Sequence, residues 1–403
     1  MFKTSTKSIR RSNTLRVLQR IYASAPVTRP ELTHSTGLSP ATIANVVADL
    51  IKANIVVEDG FKDSDGGRPR AMLNINADYG VFVGVDIAET YIHFELFDLM
   101  LHNRCKIESP LSLSENQPAH VVDHVVRGIN QLFLQSHTSD TQVLGVGISI
   151  PGLLEQVGGV SVFAPKWGSP NMLLARMLSE RIDLPLYLDN PLKACAVAEL
   201  WFGMGQQKSN LVTLIIGTGV GAGIILNSAV YRGATNSAGE WGHTTIVLDG
   251  RECRCGSHGC LEAYIGAPGI LQNLRELAPD SPLLQTEDQT ESIHGLANAV
   301  REGDPVAMHV IRTTARHLGA GIANIINVFN PEAVVIGGWV GMLLGPYLLP
   351  ELEEFVAHYA LEQPRKAATF QLCQINNNPV SLGMATLALE GYLAANDVKS
   401  VRA

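Results

Sequence analysis

Three of the six cysteines in this 403-residue chain crowd into Cys253-Arg254-Cys255-Gly256-Ser257-His258-Gly259-Cys260. Thiolates are soft ligands, and the intervening glycines let a short loop wrap around one ion. Three thiolates and one imidazole complete a tetrahedral zinc site. Either His243 or His258 supplies the fourth ligand at this stage of the reading. With all four positions filled by protein, such a zinc is structural rather than catalytic. Six cysteines are too few for a disulfide scaffold, so a reducing cytoplasm is the expected compartment.

A second cluster is Gly217-Thr218-Gly219-Val220-Gly221-Ala222-Gly223, entered by the apolar run Leu211–Ile216. Glycines let backbone N–H groups turn inward on an anion, as in phosphate loops, but tight hairpins use the same residues for geometry. The uncharged stretch Leu211–Tyr231 is long enough to cross a bilayer. Its glycines and polar residues favour two strands around a turn, and no membrane insertion is expected.

The surrounding elements read as a two-lobed α/β body. Strands are expected at Val81–Asp86, Tyr91–Phe97, Leu144–Ile150, Leu186–Leu188, Leu211–Ile216, Ile224–Leu226 and Ala333–Ile336. Helices are expected at about 119–134, 192–202, 306–329 and 381–395. Ahead of this body, Leu15, Val17, Leu18, Ile21 and Tyr22 recur at helical spacing. Arg29–Thr36 forms a short helix stopped by Gly37. Ser39-Pro40 starts a third helix with a buried stripe of Ile43, Val46, Val47, Leu50 and Ile51; serine is a favoured N-cap and proline fits the first helical position. Ile55–Glu58 and Ala71–Ile75, joined by a turn at Asp63–Gly67, form a wing. The order is that of a winged helix-turn-helix.

Charge supports the same division. Residues 1–70 hold eleven Lys and Arg against six acids, a net of +5, whereas the rest hold nineteen against thirty-two, a net of −13. A basic head on an acidic body points to a polyanion at one end. Base readout is expected from Ser39, Thr42 and Asn45, and phosphate contacts from Arg10, Arg11, Arg29 and Lys52. Arg68 and Arg70, in the extended Gly67-Arg68-Pro69-Arg70, suit a narrow minor groove.

Glu240-Trp241-Gly242-His243, followed by Cys-x-Cys-Gly-x-x-Gly-Cys-x-Glu ending at Glu262, resembles the signature of the ROK family of repressors, open reading frames and sugar kinases. The resemblance extends over nearly the whole chain, and the winged head places it with the family's repressor branch. It implies an actin-like, ribonuclease-H-like two-lobed fold with a sugar in the cleft and a structural zinc loop. It further implies that His243 is the fourth ligand beside Cys253, Cys255 and Cys260, metallated through one ring nitrogen and facing the sugar through the other. Glu240 and Glu262 would accept hydrogen bonds from sugar hydroxyls, and Asn190 would complete the sugar contacts. Domains are expected at 1–76 (DNA-binding), 77–190 with the helix 381–398 (first lobe) and 191–380 (second lobe).

The chain departs from the family's kinases at three positions. The Asn-Asp that precedes a helix in those kinases is here Asn190-Pro191, and proline offers no proton acceptor; Asp189 is one residue early. The Asp-x-Gly-Gly-Thr of the first phosphate loop is Asp86-Ile87-Ala88-Glu89-Thr90, without glycines and with an added carboxylate. The third glycine of the nucleotide motif is Trp339. Lys166 and Lys193 are either solvated or face an anionic group on the ligand, and Trp167 either stacks on a sugar or belongs to the core. The expected protein is a non-enzymatic repressor, a homodimer or higher homo-oligomer on double-stranded operator DNA, released by a sugar or sugar phosphate. The alternatives are a bifunctional sugar kinase with a DNA-binding head and a regulator controlled by a protein partner.

Overall fold

The computed structural model describes residues 6–63, 69–112, 117–154, 161–163, 174–286 and 288–395. The chain divides into two compact units, residues 1–202 with 376–403, and residues 203–375.

The first unit begins with α1 (Thr6–Ser24), β1 (Val27–Thr28), α2 (Arg29–Thr36) and α3 (Pro40–Lys52), then β2 (Val56–Lys62) and β3 (Arg70–Ile75). Gly37 ends α2 in the left-handed region at φ 67°, where glycine carries no Cβ penalty. The Ser39 side chain accepts the Thr42 amide and so caps α3. Ile43, Val46, Val47 and Leu50 form the buried stripe of α3, and Ile51 sits half-buried at its margin. The strands form one antiparallel sheet in the order β1-β3-β2. Tyr22 of α1 packs edge-on against Trp201 and Phe202, and its hydroxyl donates to the Leu99 carbonyl.

Trp201 and Phe202 close a second layer of this unit. Its sheet runs β10-β7-β4-β5-β6, built from β4 (Val81–Ile87), β5 (Tyr91–Asp98), β6 (Asn103–Pro110), β7 (Val143–Ser149) and β10 (Leu186–Asp189). Strands β4, β5 and β6 are antiparallel, while β7 and β10 join in parallel. A short pair, β8 (Leu153–Leu154) and β9 (Ser161–Phe163), stands apart. Because side chains alternate along a strand, Val83 and Val85 face the core with α4 (Pro118–Ser136) and Leu178 of α5 (Leu174–Ser179). Gly84 and Gly147 face α13 (Pro379–Ala395) on the other side, which packs with α6 (Pro191–Phe202). A Cβ at Gly84 would lie 2.0 Å from the Ser381 carbonyl oxygen, so the bare strand lets the helix backbone settle onto the sheet.

The second unit repeats the strand pattern, in the order β13-β12-β11-β14-β15. Strands β11 (Leu211–Ile216), β12 (Val220–Leu226) and β13 (Ala229–Val230) are antiparallel. β14 (Ala333–Gly337) and β15 (Thr369–Leu372) add in parallel. Leu214, Ile216 and Ile336 of this sheet share one core with Leu318, Ile322 and Leu344. The helices are α7 (Glu262–Ile265), α8 (Ala267–Leu277), α9 (Gln289–Arg301), α10 (Pro305–Phe329), α11 (Trp339–Tyr359) and α12 (Glu362–Ala367). The glycine loop is shorter than its sequence: Gly221 and Gly223 are strand residues paired with Ile215 and Thr213, leaving Gly217–Gly219 as the turn. Among the described residues no helix is long and apolar enough to cross a membrane.

Candidate ligand and metal site

The four candidate metal ligands come together in the second unit. One ligand atom each from His243, Cys253, Cys255 and Cys260 lies within 4.8 Å of all the others. Cys253 Sγ is 3.6 Å from His243 Nδ1, and Cys255 Sγ is 3.8 Å from Cys260 Sγ. A metal–sulfur bond of about 2.3 Å gives tetrahedral S···S edges of about 3.8 Å, so the donor set already has the dimensions of a four-coordinate ion. Burial pushes the Cys253 thiol up to about 12, and a cation is what would let these sulfurs ionise together at neutral pH. Gly256 and Gly259 take positive φ, 89° and 70°, and a Cβ at Gly259 would come 1.7 Å from the Val247 carbonyl oxygen. The loop therefore closes only with glycine there. His258 is exposed and lies outside the cluster; the structure selects His243.

Glu262 opens α7 beside this loop. Its Oε1 accepts from Arg254 Nε at 2.7 Å, and its Oε2 accepts from Arg254 Nη2 at 3.1 Å and from the Val220 amide at 2.8 Å. The carboxylate predicted to meet a sugar is thus held from two sides by its own chain. Arg254 was not singled out in the sequence; its place between two ligating cysteines, eight residues before Glu262, was the available signal. Segment 240–243 packs on β12, where a Cβ at Gly242 would lie 2.1 Å from the Val220 carbonyl oxygen. Glu240 is half-buried, and His243 turns Nδ1 to the cluster, leaving Nε2 for another partner.

The glycine turn is covered by side chains. The Trp339 indole lies against Gly217, whose Cβ would sit 3.1 Å from Nε1, and Arg254 Nη2 lies over Gly219. Together with Glu262 on the Val220 amide, these groups occupy the turn at which a bound anion would be received.

In the first unit, Asn190 is buried and its Oδ1 accepts the Lys193 amide at 3.0 Å, capping α6, with Pro191 at the first helical position. Asp189 is buried at the end of β10, its Oδ1 accepting the Asn190 amide at 2.9 Å. Lys193 is 1 % exposed and engaged, which overturns its reading as a solvated lysine: it lies on the fully buried face of α6. Lys166 and Trp167 fall outside the described residues. Asp86 is buried, accepts from Asn378 Nδ2 at 3.0 Å, and is pushed up to about 6, chiefly by burial. Nearby, His93 sits 3.1 Å from Glu95 and 3.4 Å from Glu108. Burial lowers its pKa, but the two carboxylates outweigh it and the net direction is upward.

In the head, Ser39 and Thr42 share a hydroxyl contact of 2.9 Å at the start of α3. Asn45, Arg11, Lys52 and Arg70 are exposed. Arg10 pairs with Asp49 and Arg29 with Glu58 at 2.8 Å, so these two guanidiniums are partly neutralised by their own chain. Arg68 lies outside the described residues.

The body thus pairs two five-stranded sheets of one strand pattern with a Cys3His cluster and a carboxylate on a glycine turn. The ROK family model matches residues 82–391, and the chain belongs to the ROK family. It is 30 % identical over 394 residues to the xylose repressor of Caldicellulosiruptor bescii, covering 96 % of this chain and 97 % of that protein. The crystal structure of a ROK family transcriptional regulator, a homologue of the Escherichia coli Mlc protein, matches with TM-score 0.80 at 28 % identity, covering 98 % of this chain and 99 % of that one. A ROK glucokinase from Streptomyces griseus, in complex with glucose and AMPPNP, matches with TM-score 0.68 at 27 % identity, covering 77 % of this chain and 100 % of its own.

Proposed function

We propose that this chain is a sugar-responsive transcriptional repressor of carbohydrate uptake or catabolism genes, binding operator DNA through its head and released by a sugar or sugar derivative. The observation that carries this reading is the extent of the likeness: regulators match over head and body together, whereas the glucokinase matches 77 % of the chain. Residues 1–76 are assigned to the winged helix-turn-helix domain, residues 77–190 with residues 381–398 to the first lobe, and residues 191–380 to the second. Ser39, Thr42 and Asn45 meet base edges, while Arg10, Arg11, Arg29, Lys52, Arg68 and Arg70 serve the phosphates and minor groove. Asn190, Glu240, His243 and Glu262 are assigned to the sugar. Two heads on a homodimer suit a two-fold operator in the cytoplasm.

The body is read as a sensor without catalysis. The position of the proton acceptor carries Pro191, which cannot take a proton from a hydroxyl, and the glycine turn is covered by Trp339, Arg254 and Glu262. Zinc is the ion assigned to His243, Cys253, Cys255 and Cys260, where it would cross-link the loop and fix the His243 ring. A sugar releases DNA only by binding more tightly to the arrangement with weak operator affinity.

Gel-shift titration on the gene's own upstream DNA, with a panel of sugars and sugar phosphates, tests the reading. A retarded band that one of them dissolves supports it; a band indifferent to every sugar, or turnover of ATP in a coupled phosphorylation assay, refutes it. Cys255→Ser is expected to lose the metal and blunt the sugar response, checked by metal analysis beside the same gel-shift.

A further inference from the structure

Arg254 combines features that neutralising one acid does not require. Its guanidinium meets both oxygens of Glu262 through Nε and Nη2, the side-on fork that lysine cannot form. Glu262 is 6 % exposed while Arg254 is 40 % exposed, so the fork reaches from an open edge onto a buried acid. Nη1 donates to nothing among the described residues. The guanidinium also has a seat made for it: a Cβ at Gly219 would lie 2.5 Å from Nη2.

The stereochemistry of the carboxylate follows. An ionised carboxylate has about four acceptor sites. Arg254 takes one on each oxygen, the Val220 amide takes a second on Oε2, and the Cys253 thiol lies 3.9 Å from Oε1; as a metal-bound thiolate Cys253 has no proton to donate, which leaves one site, on Oε1. A ligand hydroxyl can therefore donate to Oε1 while a neighbouring ligand oxygen accepts from the free Nη1 edge. That acceptor beside a donor matches two adjacent oxygens of a polyol. We infer that Arg254 is a ligand-positioning residue, which locks Glu262 into one orientation and offers Nη1 to a second oxygen of the bound sugar. The inference rests on the reading of the body as a sugar sensor, and gives Arg254 a ligand contact that reading did not assign.

The test is calorimetric titration of the full-length, metal-loaded protein with D-xylose, D-glucose and N-acetyl-D-glucosamine, followed by the same titration on variants with whichever sugar binds. Arg254→Ala is expected to weaken binding about 10- to 100-fold, the range set by losing charge-assisted hydrogen bonds. Arg254→Lys keeps the charge but not the fork and is expected to give no full rescue. Gly219→Ala displaces the guanidinium while leaving Arg254 and Glu262 in the sequence, and is expected to weaken binding in the same direction. Metal content and unfolding temperature separate a positioning role from a structural one, and both should stay near wild type. Binding within about twofold of wild type in Arg254→Ala, full rescue by lysine, or loss of metal with Arg254→Ala would each overturn the assignment. A wild-type protein that binds neither these sugars nor their phosphates in the same titration instead refutes the sensor reading, and this role with it.

Discussion

Proline at position 191 starts α6 well, because its fixed φ suits the first helical turn and its missing N–H needs no partner there. On the proposed reading, the same ring leaves the site without a proton acceptor. Restoring the acid as Pro191→Asp is expected to give no sugar phosphorylation in a coupled assay, since Trp339, Arg254 and Glu262 still cover the glycine turn. Asp86 is the opposite case, an acid retained where burial opposes its charge. Its folded pKa is about 6 against 3.8 for the free side chain, so the native state holds the proton more tightly. Its contribution to stability is therefore present at pH 4 and lost as the pH rises through 6. Asp86→Asn should stabilise the protein at pH 7 by up to about 3 kcal/mol, with the gain vanishing near pH 4, as read from urea midpoints at the two pH values. At this scale the cysteines were legible because metal-ligand spacing is local, whereas spacing left His243 and His258 both open and only the family resemblance pointed to His243. Arg254 was not legible, because its meaning comes from Gly219 and Val220, which only the fold brings beside it.

Among the elements, α6 carries Asn190 at its start and Trp201 and Phe202 at its end, and α1 docks Tyr22 on that end. The helix spans about 18 Å and nine of its twelve residues are buried, so it is held rigidly between the two points. Tyr22→Phe, which loses the bond to Leu99, is expected to cost about 1 kcal/mol. Tyr22→Ala, which also empties the aromatic seat, should cost about 3 kcal/mol or more; equilibrium urea unfolding measures both. The three head helices were readable from Gly37, the Ser39-Pro40 start and the apolar stripe, all short-range signals. Helix α11 was not, since Pro346 and Pro350 lie inside it and proline reads as a breaker; burial of Val340, Leu344, Leu348 and Leu352 against the core overrides that preference. Strand β6 was missed because Arg104, Lys106 and Glu108 punctuate it, as befits the edge of the sheet.

For the whole molecule, the division of charge makes DNA affinity strongly dependent on salt. If, as proposed, three to four cations of each head in a homodimer reach phosphates, log K should fall with log [salt] at a slope of about −5 to −7. Fluorescence anisotropy from low to moderate salt measures it, and a slope near zero would contradict phosphate contact by the head. The two-sheet body was legible as alternating strands and helices. The closing of the first unit by a segment some 175 residues further on was anticipated only through the family resemblance, because no local pattern announces which sheet a distant helix will cover.

That closing helix sets an order of events on the ribosome. Gly84 and Gly147 lie bare until Ser381 and Met384 of α13 arrive to cover them, so the layer on which Tyr22 rests stays unfinished while residues 203–375 are being synthesised. A nascent chain thus displays its basic head long before the platform beneath it is complete. A message cut short ahead of α13 would yield a head on an open sheet, a substrate for chaperones and proteases rather than a working regulator.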